Sequence, residues 1–247
     1  MAGNRPEEEV PVPVVHQGWR HVTFVHWRYE PDVVQRLLPA ELTVDIVDGA
    51  AWIGLTPFLI EDFRVSGVPA LPGLSSFPET NLRTYVRDPK GGDGLWFLSL
   101  DVESLATFGA GRLGLGIPYL AARMRVEATG AADDATGRPP ATVLYESRRI
   151  TGHSASHRIS VRPGAPLGDT LSERDAQLIG RWRAYTRPGG RLVQIPVQHE
   201  PWPVHAATLI ELEQSITDAA GLPPPEGEPL VHYAPGVHAR FGPPRPV

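Results

Sequence analysis

Apolar side chains at positions 120, 122, 124, 126 and 128 alternate with Arg123, Arg125 and Glu127. A period of two is that of a strand with one buried face, so the pattern predicts a strand over 120–128. Residues 19–27 are β-branched and aromatic and predict another. Thr43–Val47, Asp48-Gly49 and Ala51–Ile60 together read as a hairpin, with Asp-Gly suited to a tight primed turn. Asn81–Arg87 and Leu95–Glu103 read as a second hairpin, and Ala141–Arg149 with Ile150–Arg162 as a third, turning near Gly152. Further strands are expected at 191–198 and 204–213, with a short one near Val231–Tyr233. Two stretches follow a helical period instead. Apolar residues at 33, 34, 37 and 38 predict a short helix from Pro31 to Leu38, stopped by Pro39. Ser172 and Asp175 form a capping-box-like start, and apolar residues at 178, 179, 182 and 185 predict a helix over 173–186. Residues 1–13 read as a flexible N-terminal tail. Stretches 65–78 and 129–140 read as loops, and 221–247 as a Pro/Gly-rich surface wrap. Many strands and two helices predict an α+β fold dominated by antiparallel sheet, with one domain over 14–247.

Composition narrows the chemistry. The chain has 247 residues and no cysteine, so disulfides, thiolate nucleophiles and Cys-based metal sites are excluded. Its net charge of −5 offers no electrostatic footprint for nucleic acid. It has no apolar run of the ~18 residues that a membrane helix needs. The N-terminus lacks the apolar core of a signal peptide, which points to a cytoplasmic protein. Of 23 basic residues, Lys90 alone is lysine. It sits in the glycine-rich turn Asp88-Pro89-Lys90-Gly91-Gly92, so the one amine available for imine chemistry is expected in solvent.

Several motifs suggest chemistry but lack its context. Gly109-Ala110-Gly111-Arg112-Leu113-Gly114 matches a dinucleotide fingerprint, yet Gly116 and Pro118 follow where a helix should open. Gly152-His153-Ser154-Ala155-Ser156 resembles a nucleophile elbow without its last glycine, between strands rather than strand and helix. His153 and His157 are expected on one strand face. His16, His21 and His26 recur every five residues, matching neither period. With no H-E-x-x-H pattern, no metal is expected.

The segment Glu79-Thr80-Asn81-Leu82-Arg83-Thr84-Tyr85 is more informative. As a strand, it points Glu79, Asn81, Arg83 and Tyr85 to one side. A face of acid, amide, guanidinium and phenol must be paired, solvated or turned into a pocket. The period leaves an exposed face, a Glu79–Arg83 ion pair and a pocket all open.

His26-Trp27, Asp48 to Leu55, Leu71 to Val86, Trp96 to Asp101, Gly116-Ile117-Pro118-Tyr119 and His199-Glu200-Pro201-Trp202-Pro203 resemble the YqjF-like family of the acetoacetate-decarboxylase-like superfamily. The resemblance spans about residues 16–240. It implies a β-barrel or cone around a central pocket, with few helices outside. Acetoacetate decarboxylases carry a Gly-aromatic-Pro-Lys-Lys motif whose first lysine forms a Schiff base. In the similar segment here Tyr119 stands in that lysine's place and Leu120 in its neighbour's. A phenol forms no imine, so Schiff-base decarboxylation is not expected. Glu79 matches the superfamily's pocket glutamate.

The resemblance thus implies an acid–base site without a cofactor. Glu79, Tyr119 and Arg83 are its catalytic candidates, and Arg28, His26, Asn81 and Tyr85 its binding candidates. Such a set suits enolisation, dehydration, cyclisation or hydrolysis of a small carbonyl or polyketide-like metabolite, in secondary metabolism. It equally suits a protein that only binds such a molecule. The expected partner is a small molecule, with neither nucleic acid nor membrane involved and with homo-oligomers open.

Overall fold

The computed structural model describes residues 9–70, 75–104, 115–130 and 138–247, which form a thirteen-stranded sheet. In chain order the elements begin with β1 (Val15–Tyr29), α1 (Pro31–Gln35), β2 (Thr43–Val44), β3 (Ala51–Val65) and β4 (Phe77–Arg87). They continue with β5 (Asp93–Val102), β6 (Tyr119–Thr129), β7 (Thr142–Arg149), β8 (Ser156–Pro166), α2 (Glu173–Ile179) and β9 (Arg183–Thr186). The last are β10 (Val193–Gln198), β11 (His205–Gln214), α3 (Ile216–Ala219), β12 (Leu230–Phe241) and β13 (Arg245–Pro246).

Two closed rings share five of these strands. The first runs β5-β6-β7-β8-β11-β12-β1-β3-β4 and back to β5, a nine-stranded barrel. The second leaves β5 through β9 and β10 and returns to β12, closing around β12-β1-β3-β4-β5. Strand β5 divides its free edge between the two. Leu95 and Trp96 pair in parallel with β9, and Leu100 to Val102 pair in parallel with β6. Both faces of the shared strands are therefore enclosed, and nearly every residue of β4 is buried.

Alternation sorts side chains between the rings. Val25, Ile53, Leu55 and Leu82 fill the nine-stranded ring with Val143, Tyr145, Ile159 and Tyr233. Polar groups there pair across the barrel: the Thr80 hydroxyl meets His157 Nε2 at 2.9 Å, and the Thr23 hydroxyl meets that of Tyr145 at 2.9 Å. Arg149 Nε donates to Asp101 Oδ1 at 2.8 Å, and its Nη2 donates to the Ser99 hydroxyl at 2.7 Å. Phe24, Phe58, Phe77, Leu100 and Val102 face the second ring, covered by Ile179, Trp202 and Val204.

Several expectations need correction. Thr43–Val47 does not pair with the strand after it. Asp48 and Gly49, with φ 51° and 73°, close only the Val47–Ala50 bridge, while β2 pairs with Val86 and Arg87 of β4. The helix expected over 173–186 stops at Ile179. The Ser172 hydroxyl accepts from the Asp175 N–H as expected, but Gly180 leaves helical geometry at φ −94°, ψ 88°. Residues 183–186 then join β5 as β9, where Ala184 and Tyr185 are buried and pair in parallel with Leu95 and Trp96. The short strand expected near Val231–Tyr233 extends through much of the expected C-terminal wrap as β12, which both rings share; Gly236 lies opposite Arg20, beside His21 with φ 50°.

His153 lies in the exposed turn before β8 and His157 in the barrel, so they share no strand face. That turn joins two strands, so the Gly152–Ser156 segment lacks a nucleophile elbow's geometry. Within the expected tail, Val10 is buried and its N–H donates to Gln198 Oε1 at 2.8 Å. The glycine motif at 109–114 lies outside the described residues, as do 71–74 and 131–137 of the expected loops. No helix among the described residues is long and apolar enough to cross a membrane.

The Asp101–Arg149 pair is almost wholly enclosed, with side-chain exposures of 1% and 3%. Removing one member leaves the other charged in an apolar barrel. Arg149→Met is expected to destabilise the fold by about 3–5 kcal/mol in urea unfolding, and Arg149→Met with Asp101→Leu to recover much of that loss. Equal losses in the single and double variants would contradict a coupled pair.

Candidate functional site

The second ring's inner face is read directly from register, because residues opposite each other on paired strands point the same way. Glu79 lies opposite Phe58 and Val102, Asn81 opposite Thr56 and Leu100, and Arg83 opposite Gly54. Gly54 in turn lies opposite His26, and His232 opposite Phe24. Leu100 pairs with Tyr119. Alternation thus carries Glu79, Asn81, Arg83, Tyr85, Tyr119 and His26 into one enclosed region, each less than 9% exposed.

Glu79 and Tyr119 form one end. The Tyr119 hydroxyl donates to Glu79 Oε2 at 3.2 Å. Burial pushes the Glu79 carboxyl up from 4.5 to about 8, against the opposing pull of the Tyr119 hydrogen bond. At neutral pH Glu79 is therefore mostly a neutral acid. Burial, then the neighbouring Glu79, holds the Tyr119 phenol well above its usual value, so it too keeps its proton.

Arg83 marks the other end. Four residues of strand separate it from Glu79, about 13 Å between Cα atoms. The two form no ion pair; the guanidinium instead lies 5.4 Å from the centre of the Phe24 ring. Arg83 Nε and Nη2 are buried with no hydrogen-bond partner among the described residues. The same is true of Asn81 Oδ1, Thr56 Oγ1, His26 Nδ1 and His232 Nδ1. All six atoms belong to side chains of this one face. A folded chain satisfies the great majority of its buried polar groups, so such a concentration marks a place where something other than the chain completes the bonding.

His26 and Tyr85 meet because Gly54 lies between them. A Cβ at Gly54 would stand 3.1 Å from His26 Cδ2 and 3.2 Å from the Tyr85 oxygen. The Tyr85 hydroxyl donates to the Leu178 carbonyl at 2.8 Å, so at its 2.6 Å contact with His26 it accepts from Nε2–H. That leaves His26 Nδ1 as a bare acceptor. Burial, then the Arg83 charge, holds His26 well below its usual pKa, hence neutral.

The structure separates two binding candidates from the rest. The Tyr85 hydroxyl is already committed to His26 and Leu178. Arg28 does not join the cluster. Its side chain is 54% exposed, donates to the Asp48 carbonyl at 2.7 Å and lies over Trp52. It follows His26 by two residues and shares its face, but β1 has by then run past the ring's rim.

His232, Thr56 and Asp175 are additions that sequence reasoning missed. His232 falls in the short strand expected near Val231–Tyr233, where Leu230, His232 and Ala234 alternate with Val231 and Tyr233, and that alternation is the signal that could have found it. Its Nε2 lies 3.5 Å from Asp175 Oδ2 on α2. Burial alone would raise the Asp175 carboxyl, but bonds from His232, Arg174 and Ser172 hold it well below its ordinary value. No group of three or more His, Asp or Glu side chains among the described residues is placed to hold a metal ion. Two solvent-open clefts, of about 520 and 390 Å³, lie elsewhere, around His199 and His238 and around Ser99 and Arg149.

A family model described as an uncharacterized conserved protein, DUF2071, matches residues 16–238. The chain is 35% identical over 232 residues to the uncharacterized protein YqjF of Bacillus subtilis (strain 168), covering 93% of this chain and 91% of that one. Its fold is similar to that of an acetoacetate decarboxylase-like enzyme from Sphingomonas wittichii RW1, with a TM-score of 0.64 and 16% identity over 97% of this chain and 95% of that one. For the enduracididine biosynthesis enzyme MppR complexed with pyruvate, the TM-score is 0.67 at 16% identity, over 97% and 93% of the two chains. For acetoacetate decarboxylase from Legionella pneumophila it is 0.59 at 14% identity, over 96% and 87%. At these identities the likeness is one of fold, an acetoacetate-decarboxylase-like barrel.

The Glu79 carboxyl makes a testable contribution to stability. Between about 4.5 and 8, folded Glu79 holds a proton that the unfolded chain has released. Its stabilising contribution is complete below that window, declines as pH rises through it, and is gone above. Measured relative to Glu79→Gln, the unfolding free energy of the wild type is expected to fall across this range. Equal slopes would mean that Glu79 is ionised in the folded protein.

Proposed function

Because the chain belongs to the DUF2071 family that includes YqjF, and folds as an acetoacetate-decarboxylase-like barrel, we propose that it is a small-molecule protein whose site is the inner face of its second ring. The reading is a cofactor-independent acid–base enzyme acting on a small carbonyl compound that carries a carboxylate. Arg83 is the observation that carries it. A buried guanidinium with two unpartnered nitrogens is costly to maintain unless an anion completes its bonding. A carboxylate can take both Nε–H and Nη2–H in the paired geometry that arginine favours.

Glu79 and Tyr119 then serve the carbonyl. Both keep their protons at neutral pH, so both can donate hydrogen bonds to an oxygen on which negative charge develops. Asn81 and Thr56 lie in the rows between the two ends and can hold the ligand's middle. In the segment that resembles the acetoacetate decarboxylase motif, Tyr119 stands in the imine lysine's place, which favours enolisation-type chemistry over Schiff-base decarboxylation. The enduracididine biosynthesis enzyme of similar fold is described as complexed with pyruvate, which makes that 2-oxo acid a reasonable first probe.

Titration calorimetry with pyruvate is expected to show binding that Arg83→Met abolishes. On an identified substrate, Tyr119→Phe should lower turnover by about 10²-fold, with Glu79→Gln at least as damaging. Wild-type rates in both variants would remove these residues from the chemistry. Binding without any turnover, weakened in both, would favour a protein that only binds its ligand.

The one lysine gives a separate test. Lys90 is exposed in the β4–β5 turn, on a backbone held by Asp88. Borohydride added with pyruvate is expected to leave the mass of the protein unchanged. A reduced adduct on Lys90 would reinstate imine chemistry.

A further inference from the structure

We propose that His232, oriented by Asp175, is the base that removes a proton from the carbon next to the ligand's carbonyl. The inference rests on the reading of the inner face as a carbonyl site, and it supplies what that reading lacks. Enolisation needs a proton acceptor at neutral pH. Glu79 is mostly protonated there and Tyr119 keeps its proton, so both serve chiefly as donors. The remaining unpartnered acceptors on this face with a lone pair basic enough for the task are the two imidazoles, at His26 Nδ1 and His232 Nδ1.

Geometry distinguishes the two. His26 is backed by a neutral phenol, since its Nε2–H is given to Tyr85, and it lies beside the Arg83 charge. The Asp175 carboxylate acts on His26 as well, but only through space, because Nε2 is bonded to Tyr85 and Nδ1 has no partner among the described residues. His232 is backed by the Asp175 carboxylate, 3.5 Å from Nε2. A carboxylate behind one nitrogen fixes the tautomer, leaves the other nitrogen bare, and stabilises the imidazolium formed when that nitrogen takes a proton. Asp175 is itself held in place by Arg174 Nε at 2.8 Å and by its own N–H on the Ser172 hydroxyl at 3.1 Å. The His232 side chain is 4% exposed. It lies opposite Phe24, the ring over which the Arg83 guanidinium sits. A carboxylate on Arg83 therefore brings the ligand's neighbouring carbons toward His232.

The step balances within the site. The C–H electron pair becomes the enol double bond as the proton passes to His232 Nδ1. The carbonyl π pair moves to oxygen, which takes the Glu79 proton. Reversal returns both protons, and in D₂O it returns deuterium to carbon. Asp175 is a positioning residue, because it acts through His232.

Pyruvate incubated with the full-length protein in D₂O tests this, with methyl-proton loss followed by NMR and binding followed in parallel by calorimetry. The wild type is expected to bind pyruvate and to exchange its methyl protons. His232→Gln should bind within a few-fold of wild type and lose exchange by at least about 10²-fold. Asp175→Asn should keep binding, slow exchange, and shift the limb of the pH–rate profile on which the base takes up its proton. A merely structural role for Asp175 would leave that limb in place. Binding with undiminished exchange in His232→Gln overturns the inference alone, as does binding without exchange in the wild type. No binding by the wild type overturns the reading of the site, and the inference with it. Should His232→Gln fail to fold, an unshifted profile in folded Asp175→Asn overturns the proposal equally.

Discussion

Burial on both faces of the five shared strands is the constraint from which the rest of this molecule follows. In an ordinary half-exposed sheet, alternate residues face water and tolerate nearly anything polar. In β12, β1, β3, β4 and β5 successive residues between the rims face one ring or the other, while strand ends such as Arg28 and His238 reach solvent. Polar side chains in these strands must find partners across a barrel, as Thr80 and Thr23 do, or await a ligand. A one-residue slip of β4 would exchange its contributions to the two rings, placing Glu79 and Arg83 beside Ile53 and Leu55 and turning Leu82 into the second ring.

The same constraint explains the division of labour between the interiors. The nine-stranded ring pairs its buried charge internally, through Asp101 and Arg149. In the second ring Arg83 has no carboxylate partner among the described residues and two of its nitrogens have no hydrogen bond, while burial neutralises Glu79. One interior is electrostatically complete without a ligand and the other is not. Their boundary is a single layer of backbone, with Glu79 and Thr80, or Asp101 and Val102, pointing to opposite sides.

Much of this was legible in the sequence where period-two alternation is strong. The β6 pattern at 120–128 and the polar face at 79–85 both stand where the pattern placed them, because side-chain period is a local property. What the sequence hid was non-local. Residues 183–186 satisfy helical spacing and strand alternation equally, and only the free edge of β5 decides for the strand. Pro235 and Gly236 hide how far β12 runs beyond the short strand expected near Val231–Tyr233, although its pairing with β1 continues through them, with Gly236 opposite Arg20 and Ala234 opposite Val22. The pattern places His232 on a strand but does not tell which ring its face lines. Arg28 was over-read for the converse reason: alternation gave its face correctly but could not tell where the ring's rim ends.

The fork in β5 carries a mechanical consequence. Its outer edge belongs to β9 at Leu95–Trp96 and to β6 at Leu100–Val102, and neither pairing includes residues 97–99. Clefts of about 390 and 300 Å³ lie at this notch, both lined by Leu98, Gly116 and Pro118. A closed barrel has no edge from which to unzip, but this molecule has a split seam where two closures part company. A disturbance starting there can peel β9 and β10 away while the nine-stranded ring remains hydrogen-bonded on every side. The nine-stranded ring closes without β9 and β10, so its hydrogen-bonded circuit does not depend on the second closure.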